Sequence, residues 1–244
     1  MDVFLEDLPS KTGVSVLSRL SVARPLQARS FEELATEAVS LERHGIRFVA
    51  VRRQQAHLIG ELAIREVLDD HGISVSCLGF AGGFTGAIWP SFDDAVADVQ
   101  RAVETASLLN AASIIVLPGN RGLHTYNHAE RIVRDGLLRS AVLVADSGIR
   151  LFVPTDTLLT DSRDCFRTSR CLVEWIGQLR FRSIRPMIVV RGSKGAWRLP
   201  DGWRECLANG GCLRICHRCE SYEQNARLLN GIIRFLQRTN PASD

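Results

Sequence analysis

The chain is predicted to be an α/β protein built on a buried parallel sheet. One observation is a series of about seven short apolar runs that are continuous rather than alternating. Such runs are buried on both faces, as strands of a parallel sheet covered by helices are. A second is that helix-patterned segments separate them through short glycine-containing connections. The third is length, since 244 residues suit one α/β barrel of about 250 residues. This alternation leaves a barrel and a doubly wound open sheet both open. No G-x-G-x-x-G follows a strand and no G-x-x-x-x-G-K-[ST] occurs, which weighs against nucleotide-binding open sheets. No low-complexity linker interrupts residues 10–237, so residues 1–244 are expected to form a single domain.

The elements follow in order. Ser15 to Val22 is a weakly patterned first strand. Ser30 with Glu33 forms a capping-box pattern that opens a helix running to His44-Gly45. A glycine placed there suits a helix stop. Ile46 to Val51 is the next strand, Leu58 to Asp70 a helix ended by His71-Gly72, and Ile73 to Leu78 a strand. Gly79 to Gly86 reads as a loose segment. Ser91 caps a long helix to about Leu109, and Ile114 to Leu117 is a strand followed by the loop from Pro118 to Gly122. His128 to Asp146 is helical, Ile149 to Val153 a strand, and Cys165 to Leu179 a helix. Met187 to Val190 and Cys212 to Cys216 are strands flanking a short helix, Trp203 to Asn209. Tyr222 to Gln237 carries Leu228, Leu229, Ile232, Ile233 and Leu236 at helical spacing, a stripe suited to core packing or to a homodimer contact.

Composition narrows the partners. A net charge of +3 is too small to argue for nucleic acid. No run reaches the roughly 18 apolar residues of a membrane span. The acidic start, Met1 to Asp7, is unlike a basic signal peptide, so a cytoplasmic protein without a membrane partner is expected. Seven cysteines, an odd number, are expected to be reduced. The basic residues are almost all arginine, with lysine only at 11 and 194. Guanidinium matches phosphate and carboxylate geometry.

The order of several segments resembles the sugar phosphate isomerase/epimerase family, over roughly residues 18 to 221. The resemblance is carried by Phe31-Glu32-Glu33-Leu34-Ala35 with His44-Gly45-Ile46, by Gly72 to Leu78 and by Ser113 to Gly119. It continues through Ala145 to Leu151 and Leu213 to Glu220. It implies a xylose isomerase-like TIM-type (β/α) barrel whose chemistry sits at the C-terminal ends of the strands; this sequence shows no convincing eighth strand, so the barrel is expected to be incomplete at its C-terminal strand. It also implies a divalent metal (manganese, cobalt or zinc) held by two Glu, an Asp and a His, with carboxylates moving a proton between neighbouring carbons.

Most of those ligands are missing from this sequence. Pro154 stands where the resemblance requires a Glu, and Val190 and Ser193 stand at the Asp and His places. His217 matches the histidine of the following strand, with Glu220 near the acidic position. No cofactor is therefore expected. The expected ligand is a small hydroxylated or carbonyl compound, anionic if the arginines bind it.

Candidate site residues then follow. His217 with Cys216, Cys219 and Glu220 is the densest polar cluster. It reads as retained pocket, as zinc site with Cys212, or as strand-end packing; neighbouring residues on a strand face opposite ways, which opposes the zinc reading. Asp156 and Asp161 can reach in from the loop after Val153, or stay solvated. His124, in the loop after Leu117, is the candidate acid or base, while His128 begins a helix. Catalysis is thus expected of His124, His217 and Asp156. Substrate binding is expected of Arg53, Arg191 and Glu220, with Arg52 and Arg53 ending one strand and Arg191 another. Three arginines at strand ends need an anionic ligand or nearby acids. The alternative function is a non-catalytic barrel serving as a scaffold, because a missing eighth strand leaves two sheet edges open to pairing.

Overall fold

The structure is a computed structural model, which describes residues 2–7, 20–86, 91–155, 165–179, 181–191 and 201–216. Eight strands close into a barrel in the order of the chain. They are β1 (Asp2–Asp7), β2 (Leu20–Pro25), β3 (Phe48–Arg52), β4 (Ser74–Gly82), β5 (Ser113–Leu117), β6 (Arg150–Pro154), β7 (Ile184–Arg191) and β8 (Cys212–Cys216). Between them lie α1 (Phe31–Arg43), α2 (Arg53–Ile59), α3 (Glu61–Asp70), α4 (Phe92–Leu108), α5 (Tyr126–Leu143), α6 (Ser169–Leu179) and α7 (Trp203–Ala208).

Strands β2 to β8 pair in parallel, each with the next. Closure does not need an eighth parallel strand from the C-terminal side. β1 runs antiparallel to both β2 and β8, with Phe4 opposite Ala23 on one side and opposite Arg214 on the other. The two open edges expected from the sequence are therefore paired, which removes the premise of the scaffold reading. Unpaired edge N–H and C=O groups are what invite association with another chain, and here β1 occupies them. Asp2–Asp7, in sequence an acidic stretch unlike a signal peptide, is a strand only six residues long whose charged residues mask its apolar ones.

Two layers of side chains make the core. Inside the barrel, each of the seven parallel strands contributes one residue to a single buried cluster: Ala23, Ala50, Cys77, Ile115, Phe152, Met187 and Cys212. In an eight-stranded barrel strand n faces strand n+4, so Phe152 faces the side of Ala23 and Met187 that of Ala50. Large residues opposite small ones fill the interior without voids, and the barrel is a packed core rather than a pore. Between sheet and helices lies the larger cluster, in which Leu34, Ile64, Val99 and Leu137 meet outward residues such as Val51, Ile114 and Val153.

Most local predictions hold. Ser30 Oγ accepts from Glu33 N at 3.2 Å to cap α1, while Glu33 Oε2 accepts from Arg29 N at 2.7 Å. The stops at His44-Gly45 and His71-Gly72 are made by glycines with φ of 69° and 62°, where a side chain would be strained. Two assignments are corrected. The helix expected over Leu58–Asp70 is two helices, α2 and α3, divided at Gly60, whose φ is 98°. The segment Gly79–Gly86, loose by composition, belongs to β4 as far as Gly82. Gly82 pairs with Leu117, and a Cβ there would lie 2.8 Å from the Leu117 carbonyl oxygen. Glycine is required at that contact rather than signalling a loop. The strand expected over 187–190 begins earlier, at Ile184, and the helices expected from His128 and Cys165 begin at Tyr126 and Ser169. The C-terminal stripe over 222–237 lies outside the described residues. Among them, no helix is long and apolar enough to cross a membrane.

Two predictions follow from this packing. Leu5 sits in β1 with a paired strand on each side, so its N–H has no solvent-facing option. Leu5→Pro removes a ladder hydrogen bond and is expected to lower the thermal midpoint in a circular-dichroism melt; an unchanged midpoint would argue that β1 does not close the barrel. Burial pushes the Cys206 thiol up to about 12 from an ordinary 9.0, because the thiolate loses its hydration. Unfolded chains ionise that thiol first, so its contribution to stability is full below pH 9.0 and lost as pH rises toward about 12. In the native protein at pH 8, iodoacetamide is expected to label the exposed Cys171 and spare Cys206, as peptide mass spectrometry would report.

Candidate active site at the C-terminal face of the barrel

The parallel strands end on Pro25, Arg52, Gly82, Leu117, Pro154, Arg191 and Cys216. No carboxylate stands among these last residues, and two of them are prolines. Arg191, Cys216 and Asp2 occupy one register row across β7, β8 and β1, so the antiparallel strand brings its first residue to this same face.

Loops and helix starts build the face. On one side, the buried Gln55 of α2 donates through Nε2 to Leu26 O at 2.8 Å and Ala28 O at 2.9 Å. That pair of bonds ties the β2–α1 connection to α2. Glu37 accepts from the backbone amides of Gln27 and Ala28. A groove beside α1 is lined by Arg24, Gln27, Glu32, Glu33 and Glu37, far in character from a pocket of arginine and histidine. Arg24 is half-buried, and desolvation holds its guanidinium below its ordinary value while Glu37 opposes the shift.

Arg53 is the first residue of α2 rather than a strand end. Its Nη1 donates to Asp98 Oδ1 on α4 at 2.8 Å and to Phe80 O at 3.2 Å. Asp98 Oδ2 also accepts from Gly82 N at 3.2 Å. The compensation demanded for this arginine thus comes from an acid in the protein, and the pair fastens α2 and α4 to the end of β4. Sequence reading missed Asp98 because the partner lies 45 residues away in the chain.

Across the face, the loops after β4 and β5 are locked together. Thr85 Oγ1 donates to Asn120 O at 2.6 Å. His124 Nε2 lies 3.3 Å from Thr85 O. Phe84 is fully buried and stands against Gly136 of α5, where a Cβ would overlap its ring. His124 packs against His128 with ring centroids 4.7 Å apart and the planes tilted by 41°. His128, expected to open a helix, is the third residue of α5, and its amide is capped by Thr125 Oγ1 at 3.3 Å. Arg121 donates through Nη1 to the His124 carbonyl and lies over the Tyr126 ring at 4.4 Å; Arg167 approaches the same ring at 4.8 Å. The sequence reading named the Gly119–Gly122 loop yet missed Tyr126 and Arg167. The only local signal was an aromatic directly after a Thr cap.

His217, Glu220 and Asp156 lie outside the described residues. Their chain neighbours are placed: Cys216 ends β8 beside Arg191, and Thr155 N donates to Met187 O at 2.9 Å while its Oγ1 accepts from Val189 N at 3.3 Å. Thr155 thus continues the pairing of β6 with β7. At the end of β6, Pro154 has no donor side chain, and Thr155 Oγ1 accepts from Val189 N. Among the described residues, no three His, Cys, Asp or Glu side chains come together to hold an ion.

This architecture is shared with solved structures. The E. coli 3-keto-D-glucoside 4-epimerase YcjR superimposes with a TM-score of 0.64 at 12% identity, over 87% of this chain and 98% of that one. A xylose isomerase-like TIM barrel/4-hydroxyphenylpyruvate dioxygenase fusion protein matches with a TM-score of 0.55 at 14% identity. The fold is that of the xylose isomerase-like TIM barrels. Of that fusion protein the chain spans 26%, while covering 68% of itself. An AP endonuclease, family 2, from Brucella melitensis matches with a TM-score of 0.57 at 14% identity, over 68% and 67% of the two chains. No family model and no curated sequence matches. Within this xylose isomerase-like barrel, His124 occupies the β5–α5 loop on the face where the fold places its chemistry.

Gly136→Ala places a methyl group in the Phe84 ring and is expected to cost about 1–3 kcal/mol through overpacking. Chemical denaturation would measure it, and a cost below about 0.5 kcal/mol, the usual surface value, would mean that the Phe84 loop yields freely.

Proposed function

We propose that this chain acts on a small hydroxylated carbonyl compound of the sugar type, as an isomerase or epimerase that moves a proton on the carbon beside the carbonyl group. The observation that carries the reading is His124, fixed on the C-terminal face of a xylose isomerase-like barrel by the Thr85 carbonyl. An imidazole whose Nε2–H donates to Thr85 O presents Nδ1 as the acceptor, the tautomer a general base needs. The sugar class rests on the epimerase likeness together with the family resemblance in the sequence.

The reading assigns the return of the proton on the second face of the carbon to His217, with Asp156 assisting. Arg191 and Glu220 contact the substrate oxygens. Arg53, committed to Asp98, positions α2 and α4 rather than binding. The reaction proceeds without the manganese, cobalt or zinc that the resemblance implies, since Pro154 and Val190 stand where the resemblance requires carboxylates. A small-molecule substrate, rather than nucleic acid, agrees with the low net charge of +3.

The test is solvent exchange. The full chain is incubated in D2O with D-fructose, D-tagatose or a 3-keto-glucoside, in EDTA and with added manganese, and deuterium at the carbon beside the carbonyl is followed by NMR. Incorporation in EDTA is expected, reduced about 10²- to 10⁴-fold in His124→Gln. Exchange that appears only with manganese would overturn the metal-free reading, and exchange indifferent to His124 would overturn its role.

A further inference from the structure

The strongest unexplained feature of the molecule is a pair of arginines on one tyrosine. Arg121, from the loop after β5, and Arg167, from the loop that leads into α6, have guanidinium carbons 4.4 Å and 4.8 Å from the Tyr126 ring centroid. The two carbons are therefore no farther apart than the sum of those distances. Guanidinium cannot shed its proton at ordinary pH, so two full positive charges share one aromatic ring.

Nothing described answers them. The ion pairs of the described residues engage Arg53, Arg65, His71, Arg101, Arg139 and Arg170, and neither Arg121 nor Arg167 among them. The first turn of α5, on which Tyr126 sits, contains no acid. Arg121 uses Nη1 on the His124 carbonyl, yet its Nε is buried without a hydrogen-bond partner. A buried donor left unpaired is costly. Arg53 shows the usual solution elsewhere on this face, a carboxylate at 2.8 Å. The ring of Tyr126 offers both guanidinium groups a stacking surface, which orders them before any ligand arrives.

We propose that Arg121 and Arg167 form an anion subsite at the mouth of the barrel, which takes the phosphate or carboxylate end of the substrate. Guanidinium pairs bind either oxyanion through parallel N–H···O bonds. The inference rests on the reading of this face as a sugar-type site and adds the charge of the substrate to it. Because Arg121 bonds the His124 carbonyl, the subsite is one contact from the proposed base, so the anionic end would bind beside the reacting carbon.

Titration calorimetry of the full chain with sodium phosphate, and separately with sodium acetate, tests the subsite without any sugar. Saturable binding is expected, weakened at least tenfold in Arg121→Met and in Arg167→Met, and unchanged in Arg131→Met, an exposed arginine on α5 that removes the same charge. Arg121→Lys, which keeps the charge and loses the fork, is expected to fall between. Tighter phosphate than acetate assigns a phosphorylated substrate, and the reverse a carboxylate. No saturable binding of either ion, or equal weakening in Arg131→Met, overturns the subsite even if D-fructose exchanges deuterium. Arginine-dependent binding with no exchange of any sugar sustains the subsite and overturns the sugar reading. Circular-dichroism melts of each variant confirm that the comparison is made between folded proteins.

Discussion

Everything in this molecule depends on the closing of the sheet by an antiparallel strand. Seven parallel strands with helices outside would present the N–H and C=O rows of β2 and β8 to water. β1 pairs with both, and the ring of Ala23, Ala50, Cys77, Ile115, Phe152, Met187 and Cys212 is then enclosed rather than open on one side. Closure also decides what stands at the functional face. An antiparallel strand begins where its parallel neighbours end, so Asp2 joins the row of Cys216 and Arg191. A C-terminal parallel strand would have placed its last residue there instead.

The face itself is held by contacts that reach across elements. Gln55 ties the β2–α1 connection, Asp98 ties α2 and the end of β4, and Thr85 ties the loops after β4 and β5. Apart from the Arg53–Asp98 ion pair, each bond uses a backbone carbonyl or amide as one partner, so the loops are fixed by shape as much as by side-chain identity. Behind Thr85, Phe84 fills the space that Gly136 leaves, and the loop carrying His124 inherits that rigidity. Sites placed on loops gain precision when their supporting contacts are packed and hydrogen-bonded.

Charge is distributed unequally over this face. Beside α1, the acids Glu32, Glu33 and Glu37 line one groove with Arg24. Beside α5, Arg121 and Arg167 gather on Tyr126, with no acid in the helix's first turn. Arginine is used on both sides, and its partners decide its role: with Asp98 it fastens helices, and on Tyr126 it stands ready for an anion.

The sequence by itself determined the α/β class, the order of β2 to β8, the caps at Ser30, Ser91 and the His-Gly stops. These are local properties, carried by continuous apolar runs and by backbone needs within a few residues. It also showed that Pro154 and Val190 lack metal donors, because a side chain's chemistry needs no fold to be read. Only the tertiary structure decided that a six-residue acidic stretch closes the barrel, since strand pairing is a property of two distant edges. Only the fold could divide the helix at Gly60, extend β4 through its glycines, and give Arg53 an acid from α4. It alone brought Arg167 to the Tyr126 ring beside Arg121. Those pairings join residues far apart in the chain, and local periodicity carries no record of what a side chain will meet across the barrel.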